Sequence, residues 1–291
     1  MKGCEYHGPQ SVEEALALLT RFGADARLLA GGTDLVIGMR RGKIAPCHLI
    51  DLGRITALKG IAVDGEIALG ALTTLRDVED SPSFVGALRA VADAAAVIGG
   101  HQIRNAGTVA GNIANASPAA DTPPACLCFD SVVEVLGPSG LRQVALEDLL
   151  LGPGKTGLSP VEMIHRVRIP RPPPLTGSAF IKIGRRQAME ISVVCVAARV
   201  TLAEDRHTCR QVRLAIGAAA PTSIRVKEAE RLLEGPEWSV DGLTEAAQLA
   251  VRATTPISDV RASADYRRMA VAAIVPRVLR MARDRARMDV A

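Results

Sequence analysis

Aromatic side chains are nearly missing from this 291-residue chain: four phenylalanines, two tyrosines and one tryptophan amount to 2% of it. A nucleic-acid surface built on base stacking is thereby disfavoured. The core must instead be assembled from alanine, leucine, valine and isoleucine. Clustered cysteine is missing too. The six cysteines (Cys4, Cys47, Cys126, Cys128, Cys195, Cys209) contain no C-x-x-C pair, which argues against a zinc ribbon or an iron–sulfur ligand set. Charge of one sign is lacking, since 35 Lys and Arg stand against 31 Asp and Glu for a net +4. The arginines crowded near the C-terminus (Arg267, Arg268, Arg277, Arg280, Arg283, Arg285) are read as the solvated face of a helix rather than a nucleic-acid patch. No apolar run is long enough to span a bilayer, and MKGCEYHGPQ has neither the basic nor the apolar region of a secretory signal. A reducing, cytoplasmic setting with free thiols is the expectation.

What is present is length enough for two or three packed units and two glycine-bearing segments. One is LLAGGTDL (Leu28 to Leu35); the other is HQIRNAGTVAGNIANASPAADTPP (His101 to Pro124). Each mixes small residues with short hydrogen-bonding side chains, which lets backbone amides approach an anion without interference from a Cβ. Each follows an apolar stretch, and the pair suggests a dinucleotide whose pyrophosphate is held from two sides. The first segment alone also reads as a strand-to-helix turn with Asp34 as a cap. In the second, Gly107, Thr108, Gly111 and Asn112 put flexible backbone beside hydrogen-bonding side chains; Ser117 follows, and Asp121 supplies an acceptor for a ribose or ribityl hydroxyl. Arg104 has two readings, phosphate neutralisation or a structural ion pair. His101, in the same segment, is assigned a structural or phosphate-side role rather than catalysis.

Around these segments the pattern alternates helices and strands. Ser11 to Phe22 reads as a helix capped by Ser11 and stopped by Gly23. Strands are expected at Arg27 to Ala30, at His48 to Leu52 and in a hairpin about Asp64-Gly65, with an Ala-rich helix over Phe84 to Ile98. Further strands fall at Ser131 to Leu136, Arg142 to Ala145 and Glu162 to Ile169, before the stiff connector Arg171 to Pro174. Beyond it come three strands (Ser178 to Ile183, Ile191 to Leu202, Gln211 to Ala218), then helices at Lys227 to Leu233, Thr244 to Thr254 and Tyr266 to Met288. Gly152-Pro-Gly-Lys-Thr-Gly157 mimics a nucleotide fingerprint. Leu149 occupies the first glycine of a P-loop, an acidic, helix-prone EDLLL precedes the run, and Pro160 disfavours the helix that should follow, so it reads as a plain turn.

The ordered set LLAGGTDL, QIRNAGTVAGNIANASPAADTPP, AFIKIGRR and ISDVRASADYRR resembles the FAD-binding subunit of the molybdenum hydroxylases. That is the xanthine dehydrogenase family, with the separate medium subunits of bacterial carbon monoxide, aldehyde and heterocycle dehydrogenases. The resemblance implies an α+β fold of the molybdopterin-dehydrogenase (PCMH) type. Two FAD-binding subdomains at 1–55 and 56–175 would be followed by a C-terminal α+β domain at 176–291 with a three-stranded antiparallel sheet. It implies that Leu28, Leu29, Ala30, Gly31, Gly32, Thr33, Asp34 and Leu35 form the first FAD loop, and Thr108, Val109, Ala110, Gly111 and Asn112 the second, with Asp121 contacting the cofactor; Ser117, from its place after the second segment, is read as a further contact. Ala110 departs from the family's usual T-x-G-G-N, which would strain the loop only if φ there were positive. By spacing, Ile98, Ile164 and Lys182 fall near positions that approach the flavin in relatives, and ordinary core packing is the other reading of the two isoleucines. The SADYRR stretch is expected to be structural.

The function implied is an electron-transfer subunit of a multi-subunit molybdenum dehydrogenase. It would take electrons from the [2Fe-2S] clusters of a small partner and pass them through FAD to NAD or another acceptor, with a large molybdopterin subunit performing the hydroxylation. A dimer of heterotrimers is the family expectation. No catalytic acid or base and no metal ligand is assigned, and FAD is expected as the sole redox centre. Two alternatives stand beside this reading: a stand-alone NAD(P)H-dependent flavin reductase, and a cofactor-free binding or assembly protein of the same fold. The colour of the purified chain separates the last, and co-purification with a cysteine-rich small chain separates the first two.

Overall fold

A computed structural model describes residues 3–235 and 238–288. The chain begins with β1 (Glu5–His7), α1 (Val12–Phe22), β2 (Ala26–Leu29), α2 (Leu35–Arg40) and β3 (His48–Asp51). The three strands form a parallel sheet in the order β1-β3-β2. Helix α1 starts and stops where its capping residues dictate: the Ser11 hydroxyl accepts from the Glu14 amide, and Gly23, at φ 52°, closes the last turn. The Glu14 carboxylate accepts from the amide of Gln10. Too short to carry a pattern of its own, β1 is absent from the sequence reading.

The second unit opens with the hairpin β4 (Ile61–Asp64) and β5 (Glu66–Gly70), turned at Gly65 with φ 68°. Helices α3 (Leu75–Asp80) and α4 (Arg89–Ala96) follow. The Ala-rich helix is shorter than Phe84 to Ile98, because Pro82 and the positive-φ Gly86 break the segment before it into two 3-10 turns. His101 to Pro124 is not one loop but three short helices, α5 (His101–Ala106), α6 (Val109–Ala114) and α7 (Thr122–Leu127). Local chemistry explains the difference. Thr108 caps α6 by accepting from the Gly111 amide, and Pro123 and Pro124 occupy the first turn of α7, where their missing N–H groups cost nothing. Then come β6 (Val132–Gly137), β7 (Gly140–Ala145), α8 (Leu146–Leu149), β8 (Leu150–Gly152), β9 (Lys155–Thr156) and β10 (Met163–Pro170). The main strands make an antiparallel sheet in the order β4-β5-β10-β6-β7, while β8 and β9 pair apart from it about a turn at Gly154.

The last unit is the expected three-stranded antiparallel sheet, β11 (Thr176–Ile183), β12 (Val194–Leu202) and β13 (Cys209–Gly217), with a two-residue β14 (Ile224–Arg225) added at its edge. Helices α9 (Lys227–Leu233), α10 (Val240–Ala253) and α11 (Ala264–Met288) follow. Every residue of β12 is buried, and its two faces enter different cores. Val194, Val196, Ala198 and Val200 pack with α11, whereas Cys195 and Ala197 join the core of the preceding unit. The period of two along this strand thus ties the C-terminal domain to the helices α4 and α7. Pro276 deprives α11 of one hydrogen bond, and the carbonyl it frees belongs to exposed Ala272, which water can reach.

The C-terminal arginines do not form one solvated face. Arg268, Arg277 and Arg280 are exposed, but Arg283 lies over the Trp238 ring and Arg285 bonds Asp93 at 3.0 Å. Arg267 is 1% exposed; its guanidinium donates to the carbonyls of Val193 and Ala218 and to Asp259. The structural role expected of SADYRR is therefore carried largely by this buried fork. No helix of the described residues is long and apolar enough to cross a membrane.

Candidate cofactor cleft

The two glycine segments meet. A Cβ on Gly31 would sit 1.8 Å from the carbonyl oxygen of Ala106 and 2.9 Å from the Cα of Gly107. Only glycine allows the β2–α2 turn to press against the end of α5 in this way. Beside the contact opens a cleft of about 1090 Å³, at the upper end of the usual range for small-molecule sites. Its walls come from the β2–α2 turn, from the starts of α5, α6 and α7, from the β8–β9 hairpin and from the end of β11 with the segment after it.

The first wall offers backbone donors. Gly32 is left-handed at φ 69°, and the turn meets the following helix through its carbonyls, Gly32 accepting from the Val36 amide and Asp34 from the Gly38 amide. Among the described residues no acceptor meets the amides of Gly32, Thr33, Asp34 and Leu35. Asp34 stands at the N-cap of α2 without bonding that helix through its side chain. A run of unpaired N–H groups around a left-handed glycine is an anion nest. In the second wall, Asn112 Oδ1 accepts from Thr122 Oγ1 at 2.7 Å, which orients the Asn112 side chain. A Cβ on Gly111 would come within 2.8 Å of the Thr108 hydroxyl that caps α6. Ala110 lies inside α6 with negative φ and is 4% exposed, so it carries no left-handed strain.

The third wall joins residues 61 and 71 positions apart. Asp121 Oδ2 accepts from Lys182 Nζ at 2.7 Å, and Oδ1 from Ser192 Oγ at 2.5 Å. Lys182 donates as well to the carbonyl of Val97, at 3.1 Å. Burial raises the Asp121 pKa above its ordinary value, against the opposing pull of Lys182 and Ser192. The same burial, together with the Asp121 charge, drives the neighbouring Cys195 thiol well up. Burial also pushes Cys126 up to about 12 and Cys128 higher still, so both stay protonated thiols at neutral pH.

Of the residues singled out in the sequence, Leu28, Ala30, Gly31, Gly32, Thr33, Asp34, Leu35, Ile98, Thr108, Gly111, Asn112, Ser117, Asp121 and Lys182 line this one cleft. Leu29, Val109, Ala110 and Ile164 do not. Val109, Ala110 and Ile164 are core residues behind the wall, Ile164 on β10 opposite Val135. Arg104 takes the structural option: it is buried, and its Nε bonds Glu79 at 2.7 Å. His101 Nδ1 accepts from Arg76 and Arg104, a structural position. Sequence reasoning missed the β8–β9 hairpin, whose Gly154, Lys155 and Thr156 face the cleft, and the stretch Met189 to Ile191. The first is the plain turn that its sequence indicates, and it also forms part of the wall. The second had none, because its place depends on Met189 resting against Gly100.

Comparison with known proteins bears on the same residues. Residues 2–172 match the family described as the FAD binding domain in molybdopterin dehydrogenase, and residues 179–282 match the CO dehydrogenase flavoprotein C-terminal domain. The carbon monoxide dehydrogenase medium chain of Hydrogenophaga pseudoflava is 34% identical, over 96% of this chain and 96% of its own. A putative xanthine dehydrogenase FAD-binding subunit of Escherichia coli is 34% identical over 90% of each. Among solved structures, a chain of the Cu,Mo-CO dehydrogenase superposes with a TM-score of 0.93 at 33% identity, covering 98% of this chain and 99% of that one.

Proposed function

The chain belongs to the FAD-binding medium subunits of the molybdenum hydroxylase family, of carbon monoxide and xanthine dehydrogenase type, and on that premise we propose that it relays electrons from the [2Fe-2S] clusters of a small partner subunit, through FAD, to NAD or another acceptor. It is an oxidoreductase subunit and its cofactor is FAD. The flavin, when bound, supplies redox chemistry that takes up single electrons and releases them singly or as a pair. The remaining work falls to the protein.

What supports the reading most is the junction of Gly31 with Ala106 and Gly107 beside four unpaired amides, a cradle that a diphosphate fits and a side chain would fill. The amides of Gly32 to Leu35 would hold the diphosphate. Thr33, Asp34, Asn112 and Ser117 would hydrogen-bond the polar groups of the cofactor, and Ile98 would offer apolar surface to its ring. Lys182, fixed by Asp121 and the Val97 carbonyl, would set a positive charge at the third wall. In this arrangement FAD lies between subdomains 1–55 and 56–175, and the domain 176–291 closes the site. Iron–sulfur and molybdopterin centres would come from a small and a large partner, assembled as a dimer of heterotrimers; the buried Cys126, Cys128, Cys195 and Cys209 of this chain are unsuited to cluster ligation.

The visible absorbance of the purified chain, before and after added FAD and gel filtration, tests the cofactor. A flavin spectrum at one FAD per chain is expected, and a colourless chain that retains none would overturn the proposal. Co-expression with a cysteine-rich small chain and a large chain tests the relay: the three should co-purify, and reduction of the small chain's clusters should bleach the flavin. Failure of the three chains to co-purify, with the isolated chain turning over NAD(P)H on its own, would favour a stand-alone reductase instead.

A further inference from the structure

Away from the cleft, three metal-ligating side chains converge on the first sheet. Glu5 and His7 lie two residues apart on β1 and share a face, and His48 on β3 is the register partner of Glu5. His7 Nε2 is 3.1 Å from His48 Nδ1. Glu5 places one carboxylate oxygen 3.4 Å from His48 Nδ1 and the other 3.9 Å from His7 Nε2. Nitrogen and oxygen ligands about 2.0–2.2 Å from a tetrahedral zinc ion stand about 3.3–3.5 Å from one another. The three observed separations bracket that value.

The rings are oriented before any ion arrives. Phe22 stacks on His48 with centroids 3.6 Å apart and planes at 12°, and its ring lies 5.1 Å from His7. The histidine side chains are 15% and 20% exposed while Glu5 is 65% exposed, so protein backs the two nitrogens and the carboxylate closes over them from solvent. Without a cation, the two facing nitrogens are reconciled only by a proton that one donates to the other. A cation would satisfy both lone pairs and the carboxylate charge together.

We propose that Glu5, His7 and His48 bind one divalent transition-metal ion of the zinc type, with water completing its coordination, and that the ion fastens β1 to β3. Two imidazoles select such an ion over magnesium or calcium, which prefer oxygen ligands throughout. None of the three residues lines the cleft, so the ion is separate from the flavin chemistry. Strand β1 is three residues long, with the ladder to β3 and a Tyr6–Asp51 hydrogen bond of 2.6 Å to hold it; a metal bridge across the same two strands would lock that register.

The test uses the full chain, loaded with FAD, stripped with a chelator and titrated with Zn²⁺ or Co²⁺. One saturable equivalent is expected, with a rise in melting temperature and a Co²⁺ visible spectrum lacking thiolate charge transfer. His7→Gln and His48→Gln should each weaken binding by more than the roughly 100-fold that loss of an outer-shell partner can cost, and Glu5→Gln by at least about 10-fold, at unchanged flavin content. Cys4→Ser and Cys47→Ser, whose thiols lie beside the ligands in sequence, should bind as the unmodified chain does. Lack of saturable uptake, undiminished uptake in the histidine variants, or loss in the cysteine variants would each overturn the site. If a histidine variant sheds its flavin, paramagnetic broadening by Co²⁺ of the His7 and His48 ring resonances in the unmodified chain decides: unbroadened rings exclude them as ligands.

Discussion

At Gly31 a single hydrogen separates two segments that must touch. Gly31→Ala would drive a Cβ into the Ala106 carbonyl and force the β2–α2 turn off α5. Overpacking of this kind costs about 1–3 kcal/mol, and the expected outcome is a chain that folds with a lowered melting temperature and loses most of its flavin on gel filtration. Gly152→Ala, whose new methyl meets nothing within 4 Å, should retain both. Lys182 makes a second test at the same scale. Removing one partner of a buried ion pair costs about 3–5 kcal/mol, so Lys182→Met should be strongly destabilised. Its pH dependence has a definite sign. Burial raises the Asp121 pKa, so between the ordinary and the raised value the folded chain binds more protons than the unfolded one. Stability therefore falls as pH climbs through that window. Lys182 opposes the shift; without it the window extends upward, and the melting temperature of Lys182→Met should fall from about pH 4 toward neutrality more steeply than that of the unmodified chain. Asp121→Asn in the same background should flatten the slope, and a slope that persists would rule this origin out.

Elements show why some local patterns were readable and others were not. Helix α1 is legible because its cap, its stripe and its stop all lie within Ser11 to Gly23. The hairpin at Asp64-Gly65 and the apolar, valine-rich run of β12 are legible for the same reason: turn chemistry and strand composition are local properties. The helices α5, α6 and α7 were hidden inside a segment that looked like a loop, since each is six residues long and is fixed by caps and proline placement rather than by an apolar stripe. Contact between elements sets its own demands. Helix α11 crosses β11 so closely that a Cβ on Gly177 would lie 2.2 Å from the Ala286 amide nitrogen. Gly177→Ala should separate helix from strand and destabilise the chain by about 1–3 kcal/mol. Hydrogen exchange should show the loss in α11 and β11 first, with α1 protected as before.

Over the whole molecule, the cleft draws its walls from the first sheet, the short helices of the second unit and the end of β11, so a ligand that spans it binds only the assembled chain. A ligand held by the folded form alone adds stability by mass action, about 2.7 kcal/mol at a hundredfold excess over its Kd. Titrating FAD into flavin-free chain should raise the melting temperature with concentration, and the rise should vanish in Gly31→Ala. A melting temperature indifferent to FAD in the unmodified chain would contradict a diphosphate cradle at the Gly31 junction.

The sequence by itself determined most of the elements, the three-stranded antiparallel sheet, the two glycine segments and the family, because capping, turn chemistry and the periods of two and 3.6 are written in neighbouring residues. Most of the residues it assigned to the cofactor also fall in the one cleft. Only the tertiary structure decided that Gly31 meets Ala106, that Asp121 is held by Lys182 and Ser192, that Ile164 and Ala110 stand behind the wall, and that Arg104 belongs to Glu79. It alone turned Arg267 inward and gathered Glu5, His7 and His48. The reason is common to all of these. Each depends on the distance between residues far apart along the chain, and that distance is set by how sheets and helices pack rather than by any pattern within them.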